Sequence, residues 1–306
     1  MEKQPLVSIL INNYNYGRFL KTAIESALGQ TYQPIEVIVV DDGSTDNSRT
    51  IIEQYGSQVI SILKANGGQA SAFNAGFAAS RGEIVCFLDS DDSFKLNKAA
   101  EIVRAFNQNE DVGWCFHPLE ILKDSQPIAQ VINQTLSREY DLRDDIKNAQ
   151  LKGKFPFEHL ATSGLCFRRR LLETILPMPE EIRITSDDYI KYIAFGISPG
   201  FALVESLAQQ NIHGNNAYTF NRNNIKVRAK TQLLTAYWMK KNFPISAKFS
   251  DRLFGLGIAL YRKWGDGVEV ESQALVKRYL SSSTFLERCE IHSRVFAKVL
   301  IYSLKR

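Results

Sequence analysis

Two short acidic clusters combine residue types and spacings suited to cation binding and to hydrogen bonding of hydroxyl groups: Asp41-Asp42-Gly43-Ser44 and Asp89-Ser90-Asp91-Asp92. Carboxylates two apart at the end of an extended segment project to one side, so Asp89 and Asp91 can share one cation while Asp92 points away. Their hard oxygens suit Mg²⁺ or Mn²⁺, ions that bridge one or two protein carboxylates to the phosphates of a substrate. The competing role for the same residues is an acidic helix start, with Asp92 or Ser93 as the N-cap. Asp41-Asp42-Gly43-Ser44 contains Asp-Gly, a common turn dipeptide. An acid after the second strand of a doubly wound sheet can also hydrogen-bond the hydroxyls or base of a nucleoside.

Such acids need strands whose carboxyl ends converge. Apolar runs over 7–11, 35–40, 59–63 and 84–88 alternate with helix-spaced apolar residues over 19–28 (closed by Gly29), 48–55, 69–80 and 96–106. That alternation predicts an α/β chain with a mostly parallel central sheet flanked by helices, and a further strand is expected over 113–116. Both acidic clusters follow predicted strands, where ligands of open α/β sheets bind. Residues 123–153 are polar and irregular and read as loops over the site. Beyond residue 225 the pattern turns helical, with helices expected over 231–241, 251–264 and 291–304.

Composition excludes several classes. The 306 residues are 44% hydrophobic and 23% charged, which fits a globular protein with a sizeable core. No run approaches the roughly 18 apolar residues that a membrane-spanning helix needs. Met1-Glu2-Lys3-Gln4-Pro5 leads into a strand-like segment without the pattern of a signal peptide, so a cytoplasmic protein is expected. Cys86, Cys115, Cys166 and Cys289 are far apart and suggest neither a zinc site nor a disulfide framework. There is no G-x-x-x-x-G-K-[ST], and the turn after the first strand, Asn12 to Gly17, lacks G-x-G-x-x-G, which argues against P-loop enzymes and ordinary dehydrogenases. Charge is divided: residues 225–306 hold 16 Lys and Arg against six Asp and Glu, and residues 1–224 hold 21 against 27.

Taken in order, Val7-Ser8-Ile9-Leu10-Ile11-Asn12-Asn13-Tyr14-Asn15, Val39-Val40-Asp41-Asp42-Gly43-Ser44-Thr45-Asp46, Asn66-Gly67-Gly68, Asn74-Ala75-Gly76, Ser80-Arg81-Gly82-Glu83 and Phe87-Leu88-Asp89-Ser90-Asp91-Asp92 resemble the family 2 glycosyltransferases of the Rossmann-like GT-A fold. The resemblance is strong over residues 5–115, weakens through 116–155, and returns at Thr162-Ser163-Gly164, Ser186-Asp187-Asp188-Tyr189 and His213-Gly214-Asn215-Asn216.

The resemblance implies a nucleotide-sugar donor, a UDP sugar being the family's frequent one, together with Mn²⁺ or Mg²⁺ and inversion at the anomeric carbon. Carried over by position, Asn13, Tyr14, Asp41, Asp42 and Gly68 belong to the donor pocket, with Asp89 near the ribose. Asp91 is the main metal ligand, joined by Asp89 and His213, and His213 touches the metal or the diphosphate. Thr162, Ser163, Gly164 and Asp187 belong to the acceptor side, and Asp188 is the catalytic base. Without the family, Asp187 and Asp188 read as dipole-compensating residues of a helix start and His213 as a plain loop residue. Many members carry Arg before the Asn that follows Asn-Gly-Gly, whereas here Phe73 precedes Asn74.

The expected organisation is a catalytic domain over 1–224, with a nucleotide-binding half (1–115) and an acceptor-binding half (116–224), followed by a basic helical extension over 225–306. The acceptor would be a glycan, a lipid-linked compound or a small molecule. Val295, Phe296, Val299, Leu300 and Leu304 recur at helical spacing near Arg294, Lys298, Lys305 and Arg306. They suit either an anionic membrane surface or packing on the catalytic domain or a second subunit. Nucleic acid is not expected as a partner, because the basic residues are dispersed. Two other functions remain in contention. A sugar-phosphate nucleotidylyltransferase should show a Gly-rich basic loop after the first strand, which Asn12 to Gly17 is not. A non-catalytic nucleotide-sugar-binding scaffold would tolerate loss of the base, and Asp188 is intact.

Overall fold

The structure, a computed structural model, describes residues 4–123, 126–128, 136–151, 160–213, 225–263 and 270–304. Strands β1 (Val7–Asn13), β2 (Ile35–Asp42), β3 (Ile60–Lys64) and β4 (Ile84–Asp89) pair in parallel, connected through helices α1 (Gly17–Leu28), α2 (Ser48–Glu53) and α3 (Gln69–Ala79). Their apolar runs are continuous because both faces are covered. Val7, Ile9 and Ile11 of β1 pack with Val37, Val39, Cys86 and Leu88 beneath Leu20, Ala23 and Ile24 of α1. Leu10 packs on the other face with Ile38, Val40, Val85 and Phe87 beneath Ala70, Ala72 and Phe73 of α3.

Beyond β4 the chain forms β5 (Asp92–Phe94), α4 (Lys98–Gln108), β6 (Trp114–Phe116), β7 (Leu119–Lys123), β8 (Gln126–Pro127), β9 (Arg138–Tyr140) and α5 (Arg143–Lys147). Next come β10 (Leu165–Arg168), α6 (Arg169–Ile175), α7 (Asp187–Ile197), β11 (Gly200–Ala202) and β12 (Ala208–Ile212). The last helices are α8 (Ile225–Asn242), α9 (Ala247–Lys263), α10 (Val270–Ser281) and α11 (Phe285–Leu304). Among the described residues the main sheet has eight strands in the order β3-β2-β1-β4-β10-β6-β11-β9, and a second sheet has the order β5-β12-β7-β8. The parallel character of the main sheet is broken by β10 and β9, which run antiparallel to their neighbours.

Several local expectations change. Asp92 and Ser93 do not begin a helix; they pair as β5 with Gln210 and Gln209 of β12, and α4 starts only at Lys98. A ladder partner supplied from more than a hundred residues away outweighs the local capping preference. The described parts of 123–153 are not wholly irregular, because β8, β9 and α5 lie there. Helix α5 is too short to be stable alone and is held by Ile146, buried against Gly196 of α7. Trp264, Lys305, Arg306 and Gly214 to Asn216 lie outside the described residues.

One apolar cluster runs from Leu10 and Phe87 through Tyr189, Ile190 and Ile193 of α7 to Leu233, Phe254 and Val295 of α8, α9 and α11. Helix α11 docks through Ile291 and Val295, and its opposite side leaves Phe296, Leu300 and Leu304 exposed. Among the described residues no helix is long and apolar enough to cross a membrane.

Candidate active site

Register alone brings the first acids together. Asn13 at the end of β1 lies opposite Asp41 of β2, and Asn12 lies opposite Asp89 of β4. A cavity of about 290 Å³ opens at these carboxyl ends, lined by Asn12, Tyr14, Tyr16, Gln69, Asp89, Ser90, Asp91, Thr162, Thr185 and Asp187 among others. Acids from two separate chain segments therefore face one space.

Asp89 is the last residue of β4, and Asn12 Nδ2 donates to its Oδ1 at 2.8 Å. Its backbone N–H donates to Ser163 Oγ (3.1 Å), which itself donates to Asp92 Oδ2 (2.6 Å). Lys98 Nζ, fully buried over the Phe94 ring, donates to the Ser163 carbonyl at 2.6 Å. Ser163 thus fixes the end of β4 from behind. Burial pushes the Asp89 carboxyl up to about 6, helped by the charge of Asp91 and opposed by hydrogen bonds from Asn12, Thr162 and Gln69. Asp92 is raised well above the ordinary carboxylate range by burial and by Asp91 and Asp89.

Asp91 sits in the turn between β4 and β5, and the pairing of β5 with β12 carries His213 to it, with Nε2 3.2 Å from Asp91 Oδ2. The imidazole stacks on Phe19 (ring centroids 4.3 Å apart), and Arg18 lies 3.4 Å from its Nδ1. Burial and then the Arg18 charge lower the pKa of His213, favouring the neutral form that can ligate a metal. Among the described residues no three His, Cys, Asp or Glu side chains form a ready-made metal centre. Asp91 with His213, and Asp89 beside them, nonetheless fit a hard cation completed by phosphate oxygens, because such ions take few protein ligands at substrate sites.

The side of the cleft expected to meet a nucleoside is more internally bonded than its residue types suggest. Asn13 donates to Asp41 Oδ1 (3.0 Å) and Ser44 Oγ (3.2 Å), and Asp41 also accepts from Ser44 N and Arg49. Asp42 accepts from Lys64 Nζ (2.7 Å) and from the backbone N–H groups of Gly67 (2.9 Å) and Gly68 (2.7 Å). Asn13, Asp41 and Asp42 are buried and brace the rim of the cleft, while Tyr14, 47% exposed, lines the cavity itself.

Gly68 joins this rim to the acid pair. It has φ +88° and ψ 174°, a combination essentially restricted to glycine, and a Cβ there would lie 2.8 Å from the Arg183 backbone. Gln69 N–H donates to the Arg183 carbonyl (2.8 Å), and Gln69 Oε1 accepts from Ser186 N–H (2.8 Å). Gly68→Ala is accordingly expected to cost about 1–3 kcal/mol of stability, read as a lowered urea midpoint with an unchanged slope.

Thr185, a β-branched residue at φ +48°, precedes the pair and lines the cavity, a strained position of the kind found at functional sites. Asp187 and Asp188 form the first turn of α7. Asp187 lines the cavity; burial is the main cause that pushes its carboxyl up to about 7, with Asp188 and Asp89 adding to the rise and Lys191 opposing it. Asp188 lies 2.7 Å from Lys191 Nζ and is absent from the cavity wall. Of the Thr162-Ser163-Gly164 segment, Thr162 lines the cavity, whereas Ser163 and Gly164 lie behind it in the core. Phe73 is buried against Phe87, with ring centroids 4.7 Å apart, so the departure from the family's Arg is a core packing residue in this chain.

Sequence reasoning did not single out Ser163 as a brace, nor Lys98, Gln69, Thr185 or Lys191. A lysine at a helix start reads as solvated, so nothing local marked Lys98 as buried. Lys191 carried a weak signal, being a lone charge within Tyr189-Ile190-Lys191-Tyr192-Ile193.

The raised carboxyl of Asp89 has a testable consequence for stability. A folded-state pKa above the unfolded value means that the folded chain holds the proton more tightly, so this group weakens folding progressively as pH rises from about 4 through about 6. Asp89→Asn is expected to melt higher than the parent at pH 8 without metal, and the difference should vanish near pH 4 in melting curves.

The chain matches the family model described as glycosyl transferase family 2 over residues 8–176. An uncharacterized glycosyltransferase of Nostoc sp. is 41% identical over 69% of this chain and 66% of its own length. One of Rickettsia prowazekii is 32% identical over 68% of this chain and 64% of its own, so the matched part spans just under two thirds of these curated relatives. Among solved structures, S. aureus TarS 1-349 in complex with UDP-GlcNAc superposes with a TM-score of 0.66 at 16% identity, covering 97% of this chain and 88% of that one. A mannosyltransferase from Pyrobaculum calidifontis in complex with GDP-Man and Mn²⁺ superposes with a TM-score of 0.52 at 16% identity, covering 99% and 87%. These likenesses show the GT-A fold, with its mixed central sheet and helical C-terminal portion. Because the family match takes in the strands and turns that carry Asp41, Asp42, Asp89 and Asp91, and more than half of the chain with them, the chain belongs to glycosyl transferase family 2.

Proposed function

We propose that this glycosyltransferase moves a sugar from a UDP-sugar donor to a hydroxyl of a glycan, lipid-linked or small-molecule acceptor by single displacement with inversion. The observation that carries this reading is the convergence of Asp89, Asp91 and Asp187, from two distant chain segments, on one cavity at the carboxyl ends of parallel strands. Neighbours of the same fold hold UDP-GlcNAc, or GDP-Man with Mn²⁺, which supports a nucleotide-sugar donor. Residues 1–115 would bind the nucleotide and 116–224 the acceptor, with 225–306 as the basic extension.

Asp91 and His213, with Asp89, would hold Mn²⁺ or Mg²⁺. That ion, when bound, supplies positive charge where the leaving diphosphate gains negative charge. Asp188 takes the proton of the acceptor hydroxyl as its oxygen forms a bond to the anomeric carbon, and the bond from that carbon to the diphosphate breaks. The nucleoside diphosphate leaves with the electron pair. A second assignment of the base, to Asp187, is favoured by one observation: Asp187 lines the cavity with a carboxyl near 7, suited to proton transfer at neutral pH. The exposed Phe296, Leu300 and Leu304 of α11 support peripheral contact with the inner face of a membrane, or with a second copy, through 225–306.

The donor is tested by thermal-shift titration with UDP, GDP, dTDP, CDP and ADP, each with and without Mn²⁺. Stabilisation by UDP that depends on Mn²⁺ is expected, since a ligand of the native state raises the melting temperature by mass action. A selective response to another nucleotide would replace UDP as the donor class, and no response to any would sink the reading.

A further inference from the structure

We infer that Lys191 is a positioning residue for the acid pair: one buried ammonium aims the Asp188 carboxylate and ties the pair to the segment that leads into the acceptor side of the cleft. This inference rests on the reading of Asp188 as the base.

The geometry is a three-way contact made by one side chain. Lys191 Nζ lies 2.7 Å from Asp188 Oδ1 and 3.8 Å from Asp187 Oδ2, and it donates to the Leu160 carbonyl at 3.3 Å. Spacing along α7 allows this, because residues three and four apart share one helix face, so a lysine at 191 reaches both 187 and 188. Its side chain is only 9% exposed, which removes most of the freedom that makes surface ion pairs weak. Leu160 lies two residues before Thr162, which lines the cavity, so the ammonium links the start of α7 to the segment that carries Thr162.

The charge balance explains why such a group is needed. Two adjacent carboxylates at a helix start repel each other, and the second would be protonated more readily than an isolated acid. The titratable groups around Asp188 are Asp187, Lys191 and Tyr192 on its own helix; Asp89 of β4 acts on Asp187, and Arg228 of α8 acts on Tyr192. Lys191 is the only one of these cations bonded to Asp188, and it counters the Asp187 carboxylate. Burial alone would lower the lysine, but Asp188 and Asp187 outweigh it and hold the ammonium charged.

The test compares Lys191→Gln, which can still donate to the Leu160 carbonyl, with Lys191→Arg, which restores charge. The readout is Mn²⁺-dependent release of UDP from UDP-GlcNAc, with water standing in for the acceptor, followed from pH 5 to 9. In Lys191→Gln the acidic limb of the rate profile is expected to move up by about one unit, with roughly a tenfold loss of rate at pH 6. UDP binding should be unchanged, and Lys191→Arg should recover the parent profile. A Lys191→Gln limb that superposes on the parent's, with Asp188→Asn inactive, would overturn the role of Lys191 and leave the base in place. Full turnover in Asp188→Asn would instead remove the reading on which the inference rests.

A second measurement needs neither turnover nor a folded Lys191 variant. Acetylation of lysines by acetic anhydride, located by mass spectrometry, should spare Lys191 in the parent and label it at least about tenfold faster in Asp188→Asn, where its main charged partner is neutral. Labelling of the parent's Lys191 at the rate of surface lysines, or no acceleration in Asp188→Asn, would show that the pair does not hold this ammonium.

Discussion

Asp91→Ala is expected to abolish Mn²⁺-dependent nucleotide binding and to lower transfer on the order of 10³-fold, about 4 kcal/mol of transition-state stabilisation. Asp91 stands in a turn where its carboxylate meets His213 from a second sheet, so its removal takes away the one acid that both segments address. Asp89 cannot replace it, because its carboxylate already accepts from Asn12 and resists ionisation through burial. The measurement is calorimetric titration of UDP with and without Mn²⁺, with circular dichroism to show that the fold persists. Retained Mn²⁺ dependence in the variant would move the metal to other ligands.

Asp188→Asn is expected to lower turnover by about 10²–10⁴-fold, the usual contribution of a positioned general base, while Mn²⁺-dependent UDP affinity stays within error of the parent. Asparagine keeps the size and the oxygen that faces Lys191 but has no basicity, so loss of binding is not expected. The same substitution at Asp187 discriminates the two assignments. If Asp187→Asn carries the large loss and Asp188→Asn only a small one, the cavity-lining acid takes the proton and Asp188 becomes its charged neighbour. If neither variant loses activity, the pair is not the source of the base. A pH profile of the parent adds a further check: a base titrating near 7, as Asp187 does, would halve the rate near that pH, with activity falling on the acid side.

Much of the framework was legible because it depends on short-range periodicity. Apolar runs of strand length gave β1, β2, β3 and β4 to within one or two residues, and the acids after β2 and β4 were placed at strand ends where a site belongs. Errors arose where a partner distant in sequence decided local structure. Asp92 and Ser93 looked like a helix start and became β5 because β12 was available to pair. Helix α5 lies in a polar stretch and exists because Ile146 finds a pocket against α7.

What the sequence by itself determined is the alternation of strands and helices, the acid clusters at their ends, and the family to which their order and spacing point. Each follows from residues a few positions apart. Only the tertiary structure decided which of those acids face the cavity. Asn13 and Asp41 bond to each other, Asp42 holds the Gly67 and Gly68 amides, and Ser163 braces Asp89 and Asp92 from behind. Asp187 turns toward the cavity and Asp188 toward Lys191. Apart from the Asp188–Lys191 pair, three positions apart on one helix, those outcomes depend on contacts between residues 25 to 74 positions apart, set by crossovers and sheet register, and a linear pattern of residue types does not encode which of two adjacent side chains will be buried and bonded first.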